Sequence, residues 1–293
     1  MVTKTPARRA FNVVNILFFV LCSAVCLVPI IYILSMSLSS STAVSAGKVT
    51  LFPVEFTLKS YEYVLQKKEF WSAFIISIER VLLGVGINML MVILAAFPLS
   101  KQKKDFSSRT FFVWFFMITM LFSGGMIPTF MIVKYTWLLN SIWSLILPGA
   151  VPVFNMVLLM NFFKAVPREL EESAFIDGAG YFRILFKIYI PISLPAIATL
   201  VVFTMVSHWN SWFDGMIYMS DARNYPLQTY LQSILVSTNT KLMTKAQAEL
   251  LRLISGRTLK AAQGCIAMIP ILLVYPFLQK YFVAGMTLGS VKE

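Results

Sequence analysis

The stretch RELEESAFIDGAGYFRILFKIYIP, residues 168–191, places a charged segment with helical periodicity between two long apolar runs. Pro167 can begin a helix, and the glutamates that follow it suit the positive end of the helix dipole. Gly178 and Gly180 then interrupt the pattern, and an apolar stripe resumes toward Pro191. The stretch predicts a short helix, a bend and a second helix. Its charged end lies outside the apolar phase, where a partner can reach it.

The composition around this stretch is typical of a membrane protein. Of the 293 residues, 58% are hydrophobic and 13% are charged, whereas soluble domains carry about 25% charge. A helix needs about 20 mainly apolar residues to cross the hydrocarbon of a bilayer. The windows that meet this requirement are 12–37, 72–99, 110–133, 141–163, 190–213 and 263–283. We therefore expect an all-α polytopic membrane protein with about six transmembrane helices, several of them kinked at Pro or Gly.

Basic residues near the ends of the spans predict the orientation of the chain. Lys and Arg accumulate in short cytoplasmic loops, and this chain has a basic N-terminus, MVTKTPARRA, and a basic link at 101–109. Both termini, and the links after spans two and four, are then cytoplasmic. The outer side receives the loops 38–71 and 214–262. Within the second of these, residues 241–256 show helical apolar spacing, and such a helix either packs on its own protein or docks an external partner.

The net charge of +12 does not indicate nucleic-acid binding, because the 25 Lys and Arg residues are scattered over loops beside the predicted spans. Attraction to anionic lipid headgroups explains such an excess. Cys22, Cys26 and Cys265 lie in apolar runs without paired spacing, which favours packing over metal or redox chemistry. The apolar run near the N-terminus is longer than the core of a signal peptide, so we interpret it as a retained transmembrane helix.

Polar and aromatic residues inside the spans are candidates for a translocation path. Glu79 and Arg80 fall inside span two, where they either line the path or reach back to the lipid headgroups. Trp209, Asn210, Trp212 and Asp214 lie near the outer end of span five. An aromatic face and an amide suit contact with a sugar, although Trp also anchors helices at membrane interfaces.

Other polar residues favour structural roles. Asn155 and Asn161 in span four are expected to hydrogen-bond across helices. His208 is the only histidine, which excludes a two-histidine metal motif. Glu171 and Glu172 are adjacent, and adjacent helical positions diverge by about 100°, so they do not form a catalytic pair. The chain also lacks the phosphate-binding pattern GxxxxGK[ST], so ATP hydrolysis would need another polypeptide.

The stretch at residues 168–191 resembles the EAA loop of bacterial ABC importer permeases. The matching features are Glu172-Ser173-Ala174, then Gly178, then the run IYIP at 188–191. The family pattern is Glu-Ala-Ala, Gly and Ile-x-Leu-Pro at the same spacing, so Ser173 and Ile190 are mild departures. Asp177 and Ala179 fit the extended form of the pattern in the sugar branch of the family.

The resemblance extends over nearly the whole chain. The segments HWNSWFDGMIYM, residues 208–219, and PILLVYPFLQKYFVAGMTLGSVKE, residues 270–293, are similar to maltodextrin-type permease subunits. The segment SGGMIPTFMIVKYTWLLNSIWSLILPGA, residues 123–150, most resembles the subgroup associated with complex polysaccharide fragments. These similarities favour the carbohydrate branch of the importer permeases.

The resemblance implies one permease domain over residues 1–293. Its parts would be a first span at 12–37, a core at 72–283, a coupling loop at 168–187 and a cytoplasmic tail at 284–293. By this resemblance the loop inserts a coupling helix into a cleft of a cytoplasmic ATPase subunit. The implied coupling residues are Glu171, Glu172, Ser173, Ala174, Asp177, Gly178 and Ala179.

The same resemblance implies a set of partners in a bacterial cell membrane. These are a second, homologous permease subunit, two ATPase subunits that carry ATP and Mg²⁺, and an extracytoplasmic solute-binding protein. The chain itself would hold no cofactor, and it would pass an oligosaccharide or polysaccharide fragment by alternating access. A secondary transporter would leave the loop unexplained, and a membrane enzyme would need a convergent catalytic constellation, which this sequence does not offer. A permease for another solute, such as an amino acid, fits span five and the C-terminus poorly.

Overall fold

The computed structural model describes residues 6–236 and 255–290, and within them it is helical without strands. The chain divides into two units, Met1–Lys68 with Ser237–Pro270 and Glu69–Val236 with Ile271–Glu293. The prediction of an all-α membrane protein is confirmed. The amphipathic helix expected at 241–256 lies, up to residue 254, outside the described residues.

The first unit contains the N-terminal helix and a short polar cluster. Its helices are α1 (Pro6–Ser37), α2 (Ser41–Ser45), α3 (Lys59–Leu65) and the start of α14 (Gly256–Ser290). The apolar window of α1 is unburied, which suits a helix that faces lipid. The Ser37 hydroxyl lies 2.7 Å from the Tyr61 hydroxyl and 3.6 Å from Cys265 Sγ.

The second unit contains the remaining helices. They are α4 (Lys68–Ser100), α5 (Arg109–Leu121), α6 (Met126–Tyr135), α7 (Val153–Lys164), α8 (Arg168–Ile176), α9 (Tyr181–Ile184), α10 (Ile190–Ile192), α11 (Leu194–Asn210), α12 (Phe213–Tyr218) and α13 (Leu227–Val236). Short 3₁₀ turns precede α7 at Ile142–Leu145 and Leu147–Gly149, and a π-turn at Leu185–Tyr189 joins α9 to α10. The core packs α4, α7 and α11 together around Val92, Leu159 and Leu200.

The predicted spans one, two and six are continuous helices in the structure, but the other three are broken. The α5–α6 pair bends by 114°, the 3₁₀ turns and α7 by 49°, and the segment Tyr181–Ile192 bends by 82° from α11. Gly125, with φ of +86°, lies in the break of span three directly before α6, because a residue without Cβ adopts this conformation freely. Pro148 and Pro152 bracket the second break and remove helical N–H donors there. Counted as single spans, these pairs bring the total to as many as six in the described residues.

Candidate functional site

Helix α8 begins directly after Pro167 and ends at a left-handed glycine. Asp177 terminates the helix, and Gly178 follows with φ of +74°. The Ala179 N–H then donates to the Ala174 carbonyl at 2.9 Å, which closes the turn. Glycine is the residue that adopts this conformation without strain. The prediction of a short helix, a bend and a second helix is confirmed.

Glu171 turns inward from α8 to a buried lysine. Lys101, at the end of α4, has 7% of its side chain exposed and places Nζ 2.8 Å from Glu171 Oε1. The Tyr189 hydroxyl donates to Glu171 Oε2 at 2.6 Å. Lys101 Nζ also lies 4.0 Å from the ring centres of both Phe97 and Tyr189. We call these four residues, Lys101, Glu171, Phe97 and Tyr189, the lysine cage.

The electrostatics of the lysine cage set the charge on Lys101. Burial lowers the pKa of this amine from its ordinary value, and the Glu171 carboxylate opposes that shift. A buried amine retains its charge when a carboxylate and aromatic faces replace water. The cage therefore fixes α8 to the end of α4 through the Lys101–Glu171 ion pair. The contact of Lys101 with the Tyr189 ring adds the π-turn to this attachment.

Aromatic contacts extend this attachment to the helices around α8. Phe97 meets Phe163 of α7 edge to face at 6.3 Å, and Phe163 meets Tyr189 at 5.5 Å. At the far end of α8, Phe175 meets Tyr181 at 5.1 Å. These edge-to-face pairs favour one relative position of the rings. Helix α8 is thus held to its own subunit along one side.

The opposite side of α8 is open to solvent. Glu172 and Asp177 are exposed, and Ile176 keeps 87% of its surface exposed. Phe182, in the following helix α9, keeps 71% exposed and borders a groove with Phe97 and Lys101. Two apolar side chains this exposed, on a segment that also carries two exposed carboxylates, form a surface suited to a partner. We call Glu172, Ile176, Asp177 and Phe182 the docking face.

The predicted coupling residues therefore separate into two groups. Glu171 lies in the lysine cage, and Ala174 and Ala179 pack against the core of the second unit. The exposed members are Glu172, Ser173, Asp177 and Gly178. Sequence spacing alone did not distinguish the inward carboxylate from its outward neighbour. The assignment of all seven residues to coupling stays a prediction.

A second candidate site is a cavity of about 490 Å³ inside the second unit. Its lining carries amide, hydroxyl, imidazole and charged groups together with two prolines. The polar lining residues are Arg80, Asn88, Ser144, Asn155, Thr204, Ser207, His208, Ser211, Asp214 and Tyr218. Such a lining can hydrogen-bond a polyhydroxylated ligand.

Arg80 and its partner Asp214 are the charged residues in the lining of this cavity. Arg80 is 2% exposed and forms an ion pair with Asp214 through two hydrogen bonds. Arg80 Nη1 also donates to the Ser211 carbonyl at 3.2 Å. This burial excludes the alternative in which Arg80 reaches back to the lipid headgroups. The ion pair instead joins α4 to the break between α11 and α12.

Neutral hydrogen bonds complete the lining of the cavity. Asn155 Nδ2 donates to Thr204 Oγ1 at 3.2 Å, which confirms the expected bond across helices. Asn88 Nδ2 donates to the Gly149 carbonyl at 2.9 Å, and Asn88 Oδ1 lies 3.3 Å from His208 Nε2. Sequence reasoning passed over Asn88, although a polar residue in an apolar helix is a signal for a buried contact.

The remaining path candidates lie away from the cavity lining. Glu79 and Asn210 are exposed, and Trp212 keeps 39% of its surface exposed. Trp209 is buried and meets Phe74 edge to face at 6.0 Å. Of the six path candidates, the structure brings Arg80 and Asp214 to the cavity within the described residues. Within residues 6–236 and 255–290, no group of three or more His, Cys, Asp or Glu side chains could hold a metal ion.

Comparison with known proteins places the chain among transport permeases. It is 37% identical over 290 residues, covering 97% of this chain and 99% of the relative, to the polygalacturonan/rhamnogalacturonan transport system permease protein YtcP of Bacillus subtilis. It is 38% identical over 294 residues, covering 99% and 97%, to Protein LplC of the same organism.

A solved structure agrees with these relatives. A chain in the crystal structure of a bacterial ABC transporter involved in the import of the acidic polysaccharide alginate superimposes with a TM-score of 0.86 at 34% identity. The match covers 96% of this chain and 100% of that one. The model of the family called binding-protein-dependent transport system inner membrane component matches residues 1–288. The chain therefore belongs to this family of membrane transport permeases, whose members are transport subunits and not enzymes.

Proposed function

We propose that the chain imports saccharide fragments as one permease of a complex driven by a separate ATPase. The observation that carries this proposal is the two-sided construction of α8. One side is fixed to α4 by the lysine cage, and the other presents the exposed docking face. A helix held in this way transmits a push from a partner into the membrane helices. The names of the relatives support a polysaccharide fragment as the cargo.

Coupling follows from the contacts of α8. When two ATPase subunits close around ATP and Mg²⁺, the cleft that holds the docking face moves. The carboxylates of Glu172 and Asp177 accept hydrogen bonds from that cleft, while Ile176 and Phe182 bury apolar surface in it. The lysine cage passes the displacement to α4, so the membrane helices rearrange as rigid bodies between inward and outward states.

The predicted orientation of the chain in the membrane determines where each partner of the transporter binds. The ATPase subunits bind at the docking face in the cytoplasm, and a second permease pairs with this one in the bilayer. A solute-binding protein delivers the cargo on the outer side, in keeping with the family description. Both termini of the chain are cytoplasmic, and the chain itself carries no cofactor.

Charge and shape changes on the docking face test this proposal. Glu172→Lys reverses a carboxylate that accepts hydrogen bonds, and Gly178→Asp strains a backbone with φ of +74°. We expect each variant to lower saccharide uptake and saccharide-stimulated ATP hydrolysis about tenfold or more. Glu172→Lys removes a charge-assisted contact, and Gly178→Asp distorts the turn that carries Asp177. The measurement is transport and ATPase activity of the assembled complex in proteoliposomes, with membrane insertion checked separately.

The first unit offers a matched control for each change. Glu62→Lys reverses the charge of another exposed helical glutamate. Gly47→Asp places a side chain on another glycine with positive φ, +68°, and open space around its Cβ position. Both controls should transport normally. Normal uptake by Glu172→Lys and Gly178→Asp would contradict the coupling role of α8.

A further inference from the structure

The hydrogen bonds of Arg80 leave one edge of its guanidinium group unused. An arginine has five N–H donors in a fixed plane. Asp214 takes one donor from Nη1 and one from Nη2, and the Ser211 carbonyl takes the other donor of Nη1. Arg80 Nε–H is buried without an acceptor among residues 6–236 and 255–290. Beside it on the same edge lies the second N–H of Nη2.

This unused edge has the geometry that binds a carboxylate. The Nε–H and the adjacent Nη2–H are parallel, and two parallel N–H donors match the two oxygens of one carboxylate. An unmade hydrogen bond on a buried charged group is costly. Asp214 already occupies the end of the guanidinium group, so it does not block this edge.

The rest of the cavity suits the ring that would carry such a carboxylate. Its volume of about 490 Å³ lies within the range of small-ligand sites, roughly 300 to 1,000 Å³. Ser207, Ser211 and Tyr218 supply hydroxyl groups to the lining, and Asn155 supplies an amide. These neutral groups are donors and acceptors for sugar hydroxyls.

We propose that this cavity is a subsite for a uronic acid residue of the cargo, with Arg80 Nε–H and Nη2–H binding its carboxylate. The inference rests on the proposed function and adds an acidic saccharide as the substrate class. Because Arg80 is 2% exposed, the sugar reaches this edge when the lining helices separate during alternating access.

The Asp214 carboxylate keeps such a subsite weak. The Arg80–Asp214 pair is neutral, so an arriving carboxylate adds one net negative charge to a partly buried cavity. Repulsion from Asp214 offsets part of the attraction to Arg80. A transport site needs this balance, because a cargo that binds too tightly is not released.

Competing uptake of acidic and neutral saccharides tests the subsite. The complete transporter in proteoliposomes is offered oligogalacturonate or oligomannuronate, and the methyl ester of each, with the same binding protein throughout. We expect the parent transporter to prefer the acids. Arg80→Lys retains a positive charge opposite Asp214 but lacks the two-donor edge, so the acid-to-ester uptake ratio should fall about tenfold or more.

Two further variants separate this role from a loss of folding. Arg109→Lys changes an arginine whose Nε donates to the Leu99 carbonyl at 2.8 Å, outside the cavity, and should retain the parent ratio. The double variant Arg80→Gln/Asp214→Asn removes both charges of the ion pair together, and it should lose the preference for the acid as Arg80→Lys does.

The outcomes distinguish this inference from the function on which it rests. An unchanged acid-to-ester ratio in Arg80→Lys, or uptake of esters in preference to acids by the parent transporter, overturns the uronate subsite and leaves saccharide import standing. Uptake of none of the four probes overturns the acidic substrate class. If neutral oligosaccharides are then refused as well, saccharide import itself is contradicted.

Discussion

Gly84 shows how one missing methyl group shapes the cavity. A Cβ built on Gly84 would lie 2.6 Å from Nε2 of His208 and 2.7 Å from its Cδ2. The ring of His208 thus packs directly on the backbone of α4, where it reaches Asn88. The absence of a side chain at this position is what allows the contact.

Gly84→Ala should therefore destabilise the protein. The added methyl group displaces the His208 ring and breaks its contact with Asn88, and overpacking of this kind costs about 1–3 kcal/mol. Gly86→Ala on the same helix is the control, because nothing lies within 4 Å of its Cβ position. It should be neutral or should stabilise by up to about 1 kcal/mol through helix propensity. Unfolding of the purified protein in detergent measures both, and equal effects would contradict the contact.

The sequence identified Arg80 as unusual but could not identify its partner. Asp214 lies 134 residues away along the chain, and pairing over that separation is decided by the packing of α4 against α11 and not by local pattern. The neighbouring Glu79 looked equally promising in the sequence, yet it is exposed. Which of two adjacent residues faces the protein depends on helix rotation, which tertiary packing sets.

At the scale of elements, the lysine cage makes Glu171 and Glu172 unequal. Glu171→Gln removes the counter-charge of a buried lysine, and breaking one partner of such a pair costs about 3 kcal/mol. Glu172→Gln removes an exposed carboxylate and should change stability by less than about 0.5 kcal/mol. We expect Glu171→Gln to lower the free energy of unfolding in detergent, whereas Glu172→Gln should lower coupled ATP hydrolysis at unchanged stability.

A double variant separates the ion pair from general damage to α8. In Lys101→Met/Glu171→Gln the buried charge disappears with its partner, and most of the lost stability should return because a neutral replacement of a buried pair is well tolerated. Additive losses in the double-mutant cycle would show that the two side chains do not interact.

The elements were predictable where one continuous apolar run makes one helix. The window 72–99 became α4, and the window 263–283 lies within α14. The breaks were foreseeable at Gly and Pro, but their angles were not, because the 114° bend after α5 depends on what the next segment packs against. The local signals of α8, its Pro start and Gly end, were sufficient to place that helix correctly.

At the scale of the second unit, polar links lie at both ends of α4 as well as along it. Near its start, Ser72 Oγ donates to the Arg223 carbonyl at 3.3 Å, and Asn224 Nδ2 donates to Asn140 Oδ1 at 3.3 Å. Beyond its other end lies the Lys101–Glu171 pair. Helix α4 has 33 residues, about 50 Å at 1.5 Å per residue, which is enough to cross a bilayer. The two groups of links therefore belong to opposite membrane surfaces.

The basic link after α4 predicts which surface is cytoplasmic. Because Glu171 contacts Lys101 directly, the docking face must share the compartment of that link, and positively charged links prefer the cytoplasm. Single cysteines at Lys104 and Glu172, in a background with the three native cysteines replaced by serine, should react with a membrane-impermeant maleimide in inside-out vesicles. Single cysteines at Asn140 and Asn224 should react in right-side-out vesicles.

Each pattern of labelling has a different physical meaning. Labelling of Lys104 and Glu172 from opposite sides would contradict the fold. Lys101 and Glu171, which are near these two positions in the sequence, are 2.8 Å apart and must lie on the same side of the membrane. If all four cysteines reacted from the side opposite to the one expected, the fold would stand and the predicted orientation in the membrane would be wrong. In that case the docking face would lie outside the cell, where ATP is scarce, and a separate cytoplasmic ATPase could not reach α8.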